Sequence, residues 1–118
     1  MIDFADVPVY LACGATDLRK QINGLGVLVS SVFELDLFSP ALFCFCNRSK
    51  DRMKILTFDT DGFVLTFKRL EKGRFLWPGK AGDDEVMALG IDEFRQLLST
   101  TRLTRKIAKD EVTERAIT

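Results

Sequence analysis

The hydrophobic positions of the chain follow two spacings, one typical of a helix and the other typical of strands. Between residues 17 and 32 the large aliphatic side chains recur at steps of four, three, four and three, at Leu18, Ile22, Leu25, Val29 and Val32. This spacing predicts one amphipathic helix over residues 17–32. Gly24 and Gly26 lie inside it, and each costs about 1 kcal/mol relative to alanine. We therefore expect another group to pack closely against them.

Several shorter hydrophobic runs have the length and composition of β-strands. They are residues 7–12, 41–46, 52–59, 63–70 and 85–89, with residues 74–77 as a further short strand or irregular chain. Residues 41–46 are apolar at every position, which is typical of a central strand covered on both faces. The pair Asp61-Gly62 predicts a tight hairpin turn between two alternating runs.

Together these runs predict an α+β fold in a single domain. It would contain an antiparallel β-meander or sheet of about four or five strands, with one main helix packed on it and a short C-terminal helix over residues 92–99. The domain is expected to occupy residues 1–100. Residues 101–118 carry many charges and few large apolar side chains, which predicts a charged C-terminal tail, helical or frayed. A chain of 118 residues is long enough for one such core.

Composition narrows the class of protein. Hydrophobic residues make up 47% and charged residues 29% of the chain, as in ordinary globular proteins. No apolar run approaches the roughly 20 residues needed to cross a bilayer, and Asp3 and Asp6 stand where a signal peptide needs positive charge. A cytoplasmic protein without membrane contact is therefore expected. The sequence has no histidine, which excludes Ser-His-Asp and Cys-His catalysis. The three cysteines are interpreted as core residues: Cys13, Cys44 and Cys46.

The net charge is zero, but the charges are unevenly distributed along the chain. Residues 48–80 contain nine basic and four acidic residues. Residues 1–47 contain two basic and five acidic residues, and residues 81–118 contain six basic and eight acidic residues. The middle third is thus a basic module between two mildly acidic flanks. Clustered cations of this kind favour contact with an anionic partner.

Three sequence blocks between residues 9 and 78 resemble a known family. The first is Val9-Tyr-Leu-Ala-Cys-Gly-Ala-Thr-Asp-Leu-Arg-Lys20, which continues to Asn23-Gly-Leu25. The second is Phe43-Cys-Phe-Cys-Asn-Arg-Ser-Lys-Asp-Arg-Met-Lys-Ile-Leu56. The third and most specific is Asp59-Thr-Asp-Gly-Phe63 followed by Phe67-Lys-Arg-Leu-Glu-Lys-Gly-Arg-Phe-Leu-Trp-Pro78. In this pattern the chain is similar to the TnpB accessory proteins of bacterial insertion sequences of family sixty-six.

The resemblance implies an accessory protein of transposition that acts beside a separate, larger transposase. It implies no catalytic residue. The expected partners are the transposase of the same element and DNA at the element ends, with no small-molecule substrate, cofactor or metal ion. Thr60 departs from the family pattern, in which Gly or another small residue is usual at that position.

The residues and the resemblance together favour DNA contact through residues 48–80, joined by two cations at the start of the predicted helix. Cations would bind phosphates, and Trp77 would stack on bases or wedge between them. Lys54 and Lys68 are expected on one face of the sheet. The candidate DNA-binding residues are Arg19, Lys20, Arg48, Lys50, Arg52, Lys54, Lys68, Arg69, Lys72, Arg74 and Trp77.

Two other functions remain open from the sequence. The first is an adaptor that binds the transposase and has no DNA affinity of its own. The second is a small metal-dependent nuclease in which Asp59 and Asp61, with Asp51 and Glu71 nearby, would hold Mg²⁺. Because an Asp-x-Asp-Gly turn has a conformational explanation, the nuclease is the weaker hypothesis.

Overall fold

A computed structural model describes residues 7–80 and 85–99 of the chain. The described residues form five strands and two helices: β1 Val9–Ala12, α1 Ile22–Val27, β2 Leu42–Cys46, β3 Arg52–Asp59, β4 Gly62–Arg69, β5 Val86–Leu89 and α2 Ile91–Ser99. The predicted α+β fold, with one sheet, a main helix and a short C-terminal helix, is confirmed. The predicted tail over residues 101–118 lies outside the described residues. Within the described ranges, no helix combines the length and the apolar character that a membrane span needs.

The main helix begins later than the hydrophobic spacing predicts. α1 starts at Ile22 and ends at Val27, and the chain continues directly into a π-helical turn over Leu28–Val32. The residues before it form a separate turn, in which the carboxylate of Asp17 accepts a hydrogen bond from the backbone N–H of Arg19 (3.0 Å). A short acidic side chain that binds nearby backbone N–H groups competes with the helix for them. The segment that carries the first predicted helical residues is therefore a turn.

The sheet has the strand order β4-β3-β2-β1-β5. β1 and β2 pair in parallel, with Val9 opposite Leu42, and the other neighbouring strands pair antiparallel. The sheet is thus mixed and differs from the expected antiparallel sheet in this one pair. The reason is the long connection over residues 13–41, which contains the helix and returns the chain to the end of the sheet where β1 starts. β5 lies at one edge of the sheet and β4 at the other.

Each face of the sheet carries its own hydrophobic layer. α1 and the π-helical turn cover one face, where Leu25 and Val29 pack with Phe43. The other face is covered by α2 together with the segment that follows β4, and Phe94 and Phe75 are buried there. All the residues of β2 are buried, which confirms the predicted central strand covered on both faces.

The two glycines of the main helix make close contacts, as expected. A Cβ atom on Gly26 would lie 3.0 Å from Cδ2 of Leu37, and one on Gly24 would lie 3.1 Å from Cβ of Lys20. The side chain of Lys20 therefore lies directly against the helix backbone.

Candidate nucleic-acid interface

The turn between β2 and β3 holds two basic residues at one end of the sheet. Asn47 closes this turn, because its Oδ1 accepts hydrogen bonds from the backbone N–H groups of Asp51 (3.1 Å) and Arg52 (3.0 Å). Its Nδ2 also donates to Oδ1 of Asp51 (2.8 Å). Lys50 takes up a positive φ of 62° within the turn. The turn leaves Arg48 exposed and Lys50 half-buried.

A pair of arginines lies beside this turn. β3 and β4 pair in a register that sets Arg52 directly opposite Arg69, and like charges in that position destabilise a strand pair. Each arginine has one carboxylate nearby: Arg52 lies 3.8 Å from Asp51, and Arg69 lies 2.9 Å from Glu71. Exposed ion pairs of this kind contribute only about 0–1 kcal/mol. Both arginines can therefore exchange these partners for an external anion.

The segment after β4 folds back onto the same turn. The backbone N–H of Leu70 donates to the carbonyl of Asp51 (2.7 Å), and that of Phe75 donates to the carbonyl of Lys50 (2.7 Å). Phe75 forms a single β-bridge, so residues 74–77 are irregular chain rather than a strand. Because the segment is fastened to the turn at both places, its intervening cations lie at the same end of the sheet; they are Lys72 and Arg74.

Lys54 fastens a further basic segment to this end from the interior. Its side chain is 7% exposed. Its Nζ donates hydrogen bonds to the backbone carbonyls of Leu18 (2.7 Å) and Lys20 (2.9 Å). Lys54 therefore acts on the surface indirectly, by fixing the backbone that carries the neighbouring cations.

The fastened segment, residues 16–20, lies across the ends of β2 and β3. The backbone N–H of Thr16 donates to the carbonyl of Cys46 (2.8 Å). Within the segment the guanidinium of Arg19 donates to both carboxylate oxygens of Asp17 (Nε 3.0 Å and Nη2 2.8 Å). These hydrogen bonds hold the pKa of Asp17 well below its usual value and raise the pKa of Arg19.

We call the resulting surface the basic end. Residues from three separate parts of the chain meet there, and its cations are Arg19, Lys20, Arg48, Lys50, Arg52, Arg69, Lys72 and Arg74. The acidic residues beside them are Asp17, Asp51 and Glu71. The surface therefore keeps an excess of positive charge after its internal ion pairs are made.

Three residues of the predicted DNA-binding set lie elsewhere. Lys54 is buried, and so is Trp77, which is 5% exposed and donates from Nε1 to the carbonyl of Ala12 (2.9 Å). Lys68 lies opposite Met53. Side chains alternate between the faces of a strand, so Lys68 and Lys54 lie on opposite faces, and the expectation that they share one was wrong. Burial leaves Lys54 and Trp77 without a surface to offer a ligand.

Sequence reasoning missed Phe67. Its alternation with Phe63 and Leu65 is typical of a buried face, yet Phe67 is 53% exposed. Phe67 lies on β4, directly opposite Lys54 of β3, and its side chain is on the same face of the sheet as that of Arg52. The available signal was its position near the end of the last hairpin strand, where cover by the helix is least expected.

The structure does not assemble the carboxylates of the metal hypothesis. Asp59 and Asp61 lie at the turn between β3 and β4, whereas Asp51 and Glu71 lie at the basic end, beyond the other end of β3. In the part of the chain that is described, no group of three His, Cys, Asp or Glu side chains could hold a metal ion.

The cysteines are free and buried, in agreement with their interpretation as core residues. Burial raises the pKa of Cys44 well above its usual value and raises the pKa of Cys46 to about 12. Both thiols therefore stay protonated at neutral pH, which disfavours a role as metal ligand or nucleophile.

Comparison with known proteins gives one family and two relatives. Residues 7–108 match the family described as IS66 Orf2 like protein. The uncharacterized protein y4hO of Sinorhizobium fredii (strain NBRC 101917 / NGR234) is 38% identical over 94 residues, which cover 80% of this chain and 80% of that relative. The uncharacterized protein y4jC of the same organism is 32% identical over 104 residues, which cover 86% of this chain and 87% of that relative. No solved structure matches the chain. The match over residues 7–108 shows that the chain belongs to the IS66 Orf2-like family of accessory proteins associated with insertion sequences.

Proposed function

We propose that the protein binds DNA at the ends of its insertion sequence through the basic end and acts there beside the transposase of the same element. The observation that carries the proposal is the position of Arg52 directly opposite Arg69. Their repulsion destabilises the strand pair, and a phosphate bound between them would remove it while accepting charge-assisted hydrogen bonds. On this proposal the protein catalyses no reaction itself and is found in the cytoplasm, on the nucleoid when it is bound to DNA.

The construction of the basic end supports a binding role. The turn after β2, the end of β4 and residues 16–20 are far apart in sequence, and backbone hydrogen bonds to Asp51, Lys50 and Cys46 hold them together. Cations on a fixed framework lose less conformational freedom on binding than cations on a mobile segment.

Fluorescence anisotropy tests the proposal, with the purified protein, the terminal repeat of the element as a labelled duplex, and a scrambled duplex. We expect affinity to fall with rising salt, because bound phosphates release counterions. The double variant Arg52→Ala/Arg69→Ala should weaken binding and lower the magnitude of the salt slope by about two. Arg95→Ala, on the exposed side of α2, is the matched control and should leave both quantities unchanged.

Two results would contradict DNA contact through this surface. One is no binding to either duplex at low salt. The other is equal weakening by the Arg95→Ala control and by the arginine-pair variant. Tighter binding to the repeat than to the scrambled duplex would add recognition of the element ends.

An adaptor role is supported by a different surface. Phe38 is 62% exposed. Its ring packs near the turn between β3 and β4, with its centroid 5.1 Å from the ring centroid of Phe58 and 5.5 Å from that of Phe63. Exposed aromatic clusters are enriched at protein–protein interfaces. Co-purification with the transposase at a salt concentration that abolishes DNA binding would support this role, and loss of the complex in Phe38→Ala would place the contact at this cluster.

A further inference from the structure

We infer that the basic end takes DNA with an unpaired base, and that the exposed ring of Phe67 is the platform on which this base stacks. The inference rests on the proposed DNA contact and specifies its substrate as single-stranded or locally opened DNA. It also replaces the stacking role that the sequence suggested for Trp77, which is buried.

The surroundings of Phe67 are the first argument. It lies on the edge strand β4, and among residues 7–80 and 85–99 it pairs across the sheet with Lys54 alone. The polar end of Lys54 is directed to the carbonyls of Leu18 and Lys20. Phe67 as a whole is 53% exposed, so its side chain retains open area for a planar ligand.

The position of the arginines is the second argument. Arg69 follows Phe67 by two residues on the same face, which is about 7 Å along an extended strand. Arg52 is the diagonal neighbour of Phe67 across the strand pair. A base on the ring would therefore place its own phosphate and the next one within reach of two guanidinium groups. This combination of an aromatic platform and a cationic track is how sequence-tolerant single-strand sites are built.

The kind of DNA follows from geometry. In an intact duplex every base is stacked between its neighbours inside the helix, and a ring fixed on a sheet has no free base to meet. Phosphate contacts alone would need no aromatic side chain at this position. A protein partner would suit an exposed ring as well, but two adjacent arginines on the same face favour an anionic ligand.

The test compares a single-stranded oligonucleotide with the duplex of the same sequence, both labelled for anisotropy. Phe67→Ala should weaken single-strand binding by about tenfold, since stacking on one aromatic side chain contributes on the order of 1–3 kcal/mol per base. It should change duplex binding less than twofold. Phe67→Trp should retain single-strand affinity, because it keeps an aromatic ring. Phe67→Leu should lose most of this affinity, because leucine keeps an apolar surface but has no ring on which a base can stack.

A spectroscopic readout and a matched control make the result specific to stacking. An oligonucleotide that contains 2-aminopurine should show quenched fluorescence when it is bound by the protein with Phe67, and the quenching should be lost in Phe67→Ala. Phe38→Ala removes another exposed aromatic ring, which packs on Phe63 at the far end of β4, and it should leave DNA binding unchanged. Circular dichroism should show that all variants are folded.

The outcomes separate the two proposals. If the arginine-pair variant weakens binding to both DNA forms while Phe67→Ala weakens neither, DNA contact stands and the stacking platform is overturned. If Phe67→Ala breaks a complex with the transposase and leaves single-strand binding intact, Phe67 belongs to a protein interface and the inference is again overturned. If neither DNA form binds the unaltered protein, the proposed function fails and the inference fails with it.

Discussion

Thr60 occupies a backbone conformation that its side chain disfavours. It is the first residue of the two-residue turn between β3 and β4, with a φ of 55°. A β-branched residue at positive φ is a genuine outlier, and the left-handed region costs about 1–2 kcal/mol for residues other than glycine. The contact of its hydroxyl with Asp59 (3.3 Å) is long and exposed and offsets little of this strain.

We therefore expect Thr60→Gly to stabilise the protein. The gain should be about 1 kcal/mol after the larger chain entropy of glycine is included, which corresponds to a rise in melting temperature of roughly 3–5 °C. Thermal denaturation followed by circular dichroism measures it. The matched control is Thr66→Gly in the middle of β4, which should lower the melting temperature because its backbone is extended. A fall in both variants would show that Thr60 is not strained.

At the scale of the structural elements, Lys54 is the link between the sheet and the turn before α1. Replacing it by methionine keeps the aliphatic stem but removes the donor that binds the carbonyls of Leu18 and Lys20. We expect Lys54→Met to lower the free energy of unfolding by about 2 kcal/mol, since a hydrogen bond from a charged group contributes roughly 1.5–3 kcal/mol.

The local consequence of Lys54→Met should be larger than the global one. Hydrogen exchange measured by mass spectrometry should rise in residues 16–21 more than in β2, and DNA affinity should fall because two cations of the basic end lose their fixed position. Lys68→Met, on the other face of the same strand pair, is the matched control. It should leave the hydrogen exchange of residues 16–21 unchanged and the free energy of unfolding within about 0.5 kcal/mol of that of the unaltered protein. Equal effects of the two substitutions would show that the buried link does not hold this segment.

The elements were largely predictable because each has a strong local signal. The uninterrupted apolar run of β2 predicted its burial, and the alternation in β3 and β4 predicted their pairing as a hairpin. The direction of β1 against β2 was not predicted, since side-chain alternation is the same in parallel and antiparallel strands. The start of α1 was missed because Leu18 keeps the helical spacing even though the Asp17 side chain ties its neighbours into a turn.

The candidate site was less predictable than the elements, for reasons visible in three residues. A lysine in an alternating strand is normally read as solvent-facing, so nothing in the sequence indicated that Lys54 binds carbonyls in the interior. Alternation assigns Phe67 to a face but does not say whether anything covers that face. Trp77 lies in irregular chain, where no periodicity distinguishes a buried ring from an exposed one.

At the scale of the whole molecule, the buried thiols of β2 should make the free energy of unfolding fall as the pH rises into the alkaline range. The pKa of Cys46 is raised to about 12 and that of Cys44 is raised above its usual value of 9.0. Above pH 9 the unfolded chain loses these protons and the folded protein keeps them. The free energy of unfolding should therefore fall with rising pH in this window, by up to about 1.4 kcal/mol per pH unit for each thiol.

Urea denaturation between pH 8 and pH 10.5 measures this dependence. The free energy of unfolding of Cys46→Ala should fall less steeply with pH than that of the unaltered protein, and the difference between the two profiles is the contribution of the Cys46 thiol. Cys13→Ala is the matched control for removing a buried thiol outside β2. Parallel pH profiles for the unaltered protein and Cys46→Ala would contradict the prediction.

The place of β5 in the sheet has a consequence for the chain while it is being made. β1 emerges from the ribosome long before β5, so its outer edge is covered only when Val86–Leu89 arrives to pair with it. Until then β1 offers unpaired N–H and C=O groups to any other extended chain, and contacts between such distant segments form slowly. Nascent chains halted before residue 86 should therefore associate with one another or with a holding chaperone. Synthesis of β5 should release the nascent chains from these contacts.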